Sequence, residues 1–217
     1  MSQFKRLAAQ PLVLTVLVAL CAAIEIGVTL GDLFAPSLQL RRHALIFGAV
    51  WPFLWHGTEG LYAGQRLVML VSHAFLHGGF LHMLFNMLIM VHLGRVVVWR
   101  IGSAGFLLVF ALTAVAGALT FIAINGGIAP MVGASGVVFG LFGVTMFWDI
   151  QGRRALGAPL GPVWRTAVGL VLMNVILWVL TSGALAWETH LGGFVAGAAI
   201  AWAVTPTMRH RIGRPLP

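Results

Sequence analysis

Ala134-Ser135-Gly136-Val137-Val138-Phe139-Gly140-Leu141-Phe142-Gly143-Val144-Thr145-Met146-Phe147-Trp148-Asp149 is a run of apolar and small residues whose first charge is its last residue. It is one of six apolar segments, at about 11–30, 80–99, 103–124, 134–149, 164–181 and 189–205. Such a series predicts an all-α membrane protein with six transmembrane helices. The run quoted is the short one. From Ala134 to Asp149 it spans about 24 Å at about 1.5 Å per residue, against a hydrocarbon core of about 30 Å. If its far end reaches the interface, Ser135 lies several ångströms below the opposite surface.

Composition agrees. The 217 residues are 60% hydrophobic and 8% charged. A soluble domain needs a polar surface, so this balance excludes one and marks an integral membrane protein. The formal charge of +8 does not point to nucleic acid. Its basic residues stand one to three at a time beside apolar runs, as in membrane loops. The single cysteine, Cys21, sits inside an apolar run, so no intramolecular disulfide forms. Lys5 and Arg6 followed by an apolar stretch resemble a signal peptide. The stretch from Pro11 to Leu30 is long for that and carries Glu25, so it reads as a retained first helix.

Basic residues also set the orientation. With the N-terminus inside, Lys5, Arg6, Arg95, Arg100, Arg153, Arg154, Arg165, Arg209, Arg211 and Arg214 fall on the inner side, and Arg41, Arg42 and Arg66 on the outer. This bias places both termini in the cytoplasm. The chain then divides into a cytoplasmic tail at 1–10, a membrane domain at 11–205 and a basic cytoplasmic tail at 206–217, an anchor to anionic lipid. Within the membrane domain, residues 31–79 form a long first loop. Its cluster Trp51-Pro52-Phe53-Leu54-Trp55, with Pro36, Arg41 and Arg42 nearby, suits a partly membrane-embedded segment.

The second, fourth and sixth segments all begin on the outer side in this topology. His82 and Asn86, Ser135, and His190 therefore lie at a similar depth in the outer leaflet. Polar groups there are costly and are functional candidates. Serine needs a base to become a nucleophile. Of the five acids, Glu25, Asp32, Glu59, Asp149 and Glu188, none is placed to be a third member. Asp149 is on the inner side and Glu188 is expected to face the interface, so the reading is a Ser135–His190 dyad. Gly136, Gly140 and Gly143 make a small-residue face on the fourth helix, and Gly193 and Gly197 one on the sixth. Packing of these faces would bring Ser135 toward His190. The start of the fourth helix offers free N–H groups to an oxyanion. His82 and Asn86, one turn apart, are either further donors to it or hydrogen-bonding pins between helices.

His77-Gly78-Gly79-Phe80-Leu81-His82-Met83-Leu84-Phe85-Asn86, Gly133-Ala134-Ser135-Gly136 and His190-Leu191-Gly192-Gly193-Phe194-Val195-Ala196-Gly197 together resemble the rhomboid family of intramembrane serine proteases, in its compact bacterial six-helix form. They match that family's HxxxN, GxSG and HxxGxxxG signatures in order and spacing, over about residues 68–205. The resemblance implies Ser135 as nucleophile and His190 as general base and then acid. It implies an oxyanion hole of His82, Asn86 and the Ser135 N–H, and Phe139 stacked on the catalytic histidine. It also implies a cap around Gly183–Trp187, and a substrate with a small residue before the cut. Three positions depart from the family. Val68 and Met69 stand where Trp-Arg is common, Thr189 where Ala is common, and Val132 where some members have Gly.

His73, His77 and His82 invite a metal reading. No HExxH is present and no acid lies among them, so they are expected to hydrogen-bond within the first loop or against the second helix. Glu25 is expected to cap or pair near the outer end of the first helix. An aspartyl protease is excluded because the spans do not supply two acids. The function expected is therefore a serine endopeptidase of the cell membrane, plausibly a bacterial inner membrane. It would cut transmembrane proteins near the outer side of their spans, with no metal and no organic cofactor. Its partners would be those substrates and lipid, and no nucleic acid. The alternatives are a non-catalytic rhomboid-like protein that binds or chaperones membrane helices, and a small transporter. Both catalytic residues are present against the first. The clustering of polar groups at one depth and the lack of an inverted repeat count against the second.

Overall fold

A computed structural model describes residues 11–125 and 127–212, with side chains as far as 205. The tail expected at 1–10 and the last part of the basic tail, 213–217, lie outside the described residues. Seven α-helices occur among the described residues, and no strand. They are α1 (Leu12–Phe34), α2 (Leu40–Gly48), α3 (Gln65–Ser72), α4 (Phe80–Ile124), α5 (Ser135–Ala155), α6 (Gly161–Leu180) and α7 (Trp187–Ile212). Three of them, α1, α4 and α6, are long and apolar enough to cross a membrane by length and composition. The chain is thus a membrane protein whose described residues are mostly helical.

The seven helices differ from the six expected in two ways. The first loop folds two short helices, α2 and α3, with 3-10 turns at Pro36–Leu38, Pro52–Trp55 and His73–Phe75. The second and third apolar segments are continuous in α4. Its 45 residues would reach about 67 Å if straight, twice the hydrocarbon thickness. Gly102 breaks it with φ 76 and ψ 173, a conformation that glycine adopts without the Cβ clash.

The fourth segment is longer than its apolar stretch. Asp149 does not end α5, which runs to Ala155, about 31 Å in all. Polar residues continue a helix as readily as apolar ones. Arg153 pairs with Asp149 at 2.9 Å one turn back, and Gly157, at φ 64, takes the left-handed turn that follows the helix end. The sixth segment is likewise longer, since α7 continues through 206–212, which had been assigned to the tail.

Lipid tails are as apolar as leucine, so these helices are held by close packing and hydrogen bonds more than by water exclusion. The main core joins Leu14, Leu17 and Cys21 of α1, Met83 to Ala114 of α4, Val137 to Trp148 of α5 and Ala201 of α7. A second cluster joins Val50, Leu54, Met69 and Leu70 of the first loop to Ala118, Phe121 and Ile122 of α4 and to Met131. By contrast α6 is loosely held. Val163 is its one buried residue.

The first loop is tied down despite having Val68 and Met69 in place of Trp-Arg. Met69 is fully buried and Val68 is exposed. The anchor lies elsewhere. Glu25, buried in α1, accepts from Arg41 of α2 at 2.7 Å. Arg41 also donates to Thr29 Oγ1 at 2.8 Å and to the His77 carbonyl at 2.9 Å. The Asp32 carboxylate accepts from the backbone N–H groups of Leu40 and Arg41 that begin α2. Gln65 Nε2 and Ser72 Oγ, both of α3, donate to the carbonyls of Ile46 and Gly48 at 2.8 and 2.7 Å.

Candidate active site

Ser135 is the first residue of α5 and is half-buried. The four residues before it are fixed by the first loop. Met131 and Val50 exchange backbone hydrogen bonds at 2.9 and 3.0 Å. The Gly133 N–H donates to the His73 carbonyl at 2.9 Å, and the Ala134 N–H donates to His77 Nε2 at 3.4 Å. Gly133 has φ +124, and a Cβ there would stand 2.8 Å from the His82 ring. A side chain at 133 would therefore meet both backbone strain and a clash.

His73 and His77 were expected to bond within the first loop or to the second helix. Their partners are further away. His73 Nε2 reaches the Ala114 carbonyl at 3.3 Å, in the second half of α4, and His77 holds the residue before Ser135. Burial lowers the His73 pKa to about 4. Burial first, and the neighbouring His82 ring next, lower that of His77 to about 3. Both values lie well below 7, and His77 is neutral for a second reason, since its Nε2 accepts from the Ala134 N–H.

His82 Nδ1 accepts from the Gly78 N–H at 3.3 Å. That fixes its tautomer, with the proton on Nε2, the ring edge that lies against Gly133. Asn86, buried one turn on, donates from Nδ2 to the His82 carbonyl at 2.9 Å. One hydrogen of its amide is thereby used within α4 and the other stays free.

His190 lies in the first turn of α7 and is 5% exposed. Its ring stacks on Phe139, with centroids 4.2 Å apart and planes 3° from parallel. Phe139 is one turn after Ser135, so the stack places the imidazole on the serine's own helix. The two helices meet through glycine. A Cβ at Gly193 would lie 2.0 Å from the Gly136 carbonyl oxygen, and one at Gly197 would lie 2.0 Å from that of Gly140. A Cβ at Gly143 would lie 2.1 Å from the Phe194 oxygen. Backbone thus touches backbone along this seam, which side chains larger than hydrogen would open. Thr189 fits because glycines face it. Its Cγ2 fills the space beside Gly136 and Gly117, and its Oγ1 donates to the Gly117 carbonyl at 3.4 Å.

Two residues differ from the sequence reading. Glu188, expected to face the interface, is 5% exposed and accepts from Asn125 Nδ2 at 3.1 Å. It ties the start of α7 to the end of α4. Asn174 of α6 was not singled out at all. Its Oδ1 lies 2.5 Å from His190 Nδ1. Because an amide oxygen only accepts, Nδ1 carries the imidazole proton and Nε2 has the lone pair. The signal available in sequence was an asparagine inside an otherwise apolar span.

The arrangement gives a hydroxyl at a helix N-terminus, an imidazole whose Nε2 has the lone pair, and one ring N–H donor, His82 Nε2, on a neighbouring helix. These are the parts of acyl transfer through a serine.

Known proteins agree. The family model described as "Rhomboid domain" matches residues 64–207. The chain is 28% identical over 211 residues to "Rhomboid protease GlpG" of Yersinia pestis, covering 92% of this chain and 65% of that one. It is 37% identical over 108 residues to "Putative rhomboid protease YdcA" of Bacillus subtilis, covering 48% and 54%. It is 26% identical over 156 residues to "Rhomboid protein 1, mitochondrial" of Saccharomyces cerevisiae, covering 69% and 45%. The chain spans about half the length of several curated relatives it matches. With the family model covering most of the chain and the fold helical throughout, the chain belongs to the rhomboid family.

Proposed function

We propose that the protein is an intramembrane serine endopeptidase with a Ser135–His190 dyad. The observation that carries this reading is the His190–Phe139 stack, which holds the imidazole, its Nδ1 against Asn174, on the helix that Ser135 begins. Ser135 Oγ attacks the scissile carbonyl while His190 Nε2 takes its proton. The resulting oxyanion is received by the Ser135 N–H, His82 Nε2–H and the free hydrogen of the Asn86 amide. Collapse expels the amine, which leaves with the proton from His190. A water, deprotonated by the same nitrogen, then attacks the acyl carbon, and Ser135 Oγ leaves with that proton, which frees the acid product and restores the dyad. The chemistry calls for no metal or organic cofactor.

The substrates are transmembrane proteins cut near the outer side of their spans. A helix of weak propensity unwinds there and offers an extended backbone to the serine. The protein sits with six spans and both termini cytoplasmic, in a bacterial inner membrane. The break at Gly102 supports two spans within α4, and the inner-side arginines support the orientation.

The test is labelling of the purified protein in lipid by a fluorophosphonate probe, beside Ser135→Ala and His190→Ala. Labelling lost in both variants supports the dyad. A folded wild-type protein that does not label refutes it and favours a non-catalytic helix-binding role.

A further inference from the structure

We infer that Asn174 of α6 is a positioning residue for His190, an inference that rests on the protease reading above. The residues of α6 that are at least half-buried are Pro162, Val163, Ala167, Leu170, Met173 and Asn174. All but the last are apolar. Asn174, nearest the C-terminal end, carries the amide whose oxygen takes the His190 Nδ1–H at 2.5 Å. The amide is itself oriented, because Asn174 Nδ2 donates to the Leu170 carbonyl at 2.9 Å. A flipped amide would set its oxygen against the Leu170 carbonyl oxygen, so the bond to Leu170 fixes Oδ1 as the atom facing the histidine.

Two consequences follow for the base. Its tautomer is settled, since a proton on Nδ1 leaves the Nε2 lone pair for the serine. Its ring is also held at two places, the face by Phe139 and the edge by Asn174. A neutral amide does this without placing a second charge in an apolar bundle, where an unpaired carboxylate would be costly. Among the described residues this is the side-chain hydrogen bond that ties α6 to α7. The geometry of the base therefore depends on where the most loosely packed helix sits.

The experiment compares the second-order rate of fluorophosphonate labelling from pH 5 to 9 for the full chain in lipid, as wild type, Asn174→Leu and Asn174→Asp, with the melting temperature of each. Asn174→Leu is expected to label about 10- to 100-fold more slowly with its melting temperature kept. Asn174→Asp restores an acceptor. It is expected to recover at least half of the lost rate on a logarithmic scale, with the acid limb moved to higher pH because a carboxylate favours the imidazolium. Labelling of Asn174→Leu within twofold of wild type overturns the inference. So does a loss of rate that tracks loss of melting temperature and is not recovered by Asn174→Asp, which would mark a merely structural role. If the wild type itself does not label, the protease reading falls and this inference with it. A labelled wild type beside an unaffected Asn174→Leu removes only the inference.

Discussion

Gly193→Ala is the sharpest test of how α5 and α7 hold Ser135 and His190, the proposed dyad. The new Cβ would lie 2.0 Å from the Gly136 carbonyl oxygen, 2.8 Å from its carbon and 3.2 Å from its Cα, where ordinary contact begins near 3.4 Å. All three atoms are backbone, one residue after Ser135, so no flexible side chain can move aside. The helices must part by roughly 1 Å or more at the level of the site. Overpacking of this kind costs about 1–3 kcal/mol, offset by about 1 kcal/mol of helix propensity gained from Gly→Ala. Net destabilisation is then modest, about 0–2 kcal/mol. Misplacement of reacting groups by about 1 Å costs about 100-fold in rate. The expected result is therefore a protein that folds, melts slightly lower and labels about 100-fold more slowly. Gly169→Ala on α6 is the control, because nothing lies within 4 Å of that position, and it should label like wild type. Gly193→Ala labelling and melting like the control would refute the claim that this glycine seam sets the Ser135–His190 geometry.

Three further outcomes are expected. Arg41→Ala leaves the buried Glu25 without its cation. It should lower stability by about 2–4 kcal/mol, the reduced end reflecting partial exposure of Arg41. Glu25→Leu with Arg41→Leu should recover part of that loss in thermal melts. Phe139→Leu removes the stacked ring, worth about 0.5–1.5 kcal/mol, and should slow probe labelling by up to about tenfold with little change in melting. Acid should destabilise the protein as pH falls below about 6.5. His73 and His77 have folded pKa values lowered by burial to about 4 and about 3, so the unfolded chain binds more protons below about 6.5. Stability is fully present above about 6.5 and declines as pH falls toward 4. A melting temperature constant from pH 6.5 to 5 would contradict this.

The membrane class, the helical character of the apolar segments and the order of His82, Asn86, Ser135 and His190 were legible in the sequence. Each rests on local pattern. An apolar run reports a span by its own length, and a glycine beside a serine reports a turn that needs no distant partner. The ends of α5 and α7 were not legible, because apolarity marks where lipid stops and a helix can continue beyond it. Nor were the pairings that fix the site. Arg41 with Glu25, Glu188 with Asn125, His77 with the Ala134 N–H and Asn174 with His190 join segments whose separation in the chain sets no distance between them. Buried polar groups must find partners, yet which partner each finds depends on how the helices cross. Those crossings are set by glycines meeting backbone to backbone, at Gly136 with Gly193 and Gly140 with Gly197. The sequence by itself determined which residues could do chemistry. The tertiary structure decided how the base is held, because a hydrogen bond of a few ångströms exists only once the helices that carry its two ends have packed.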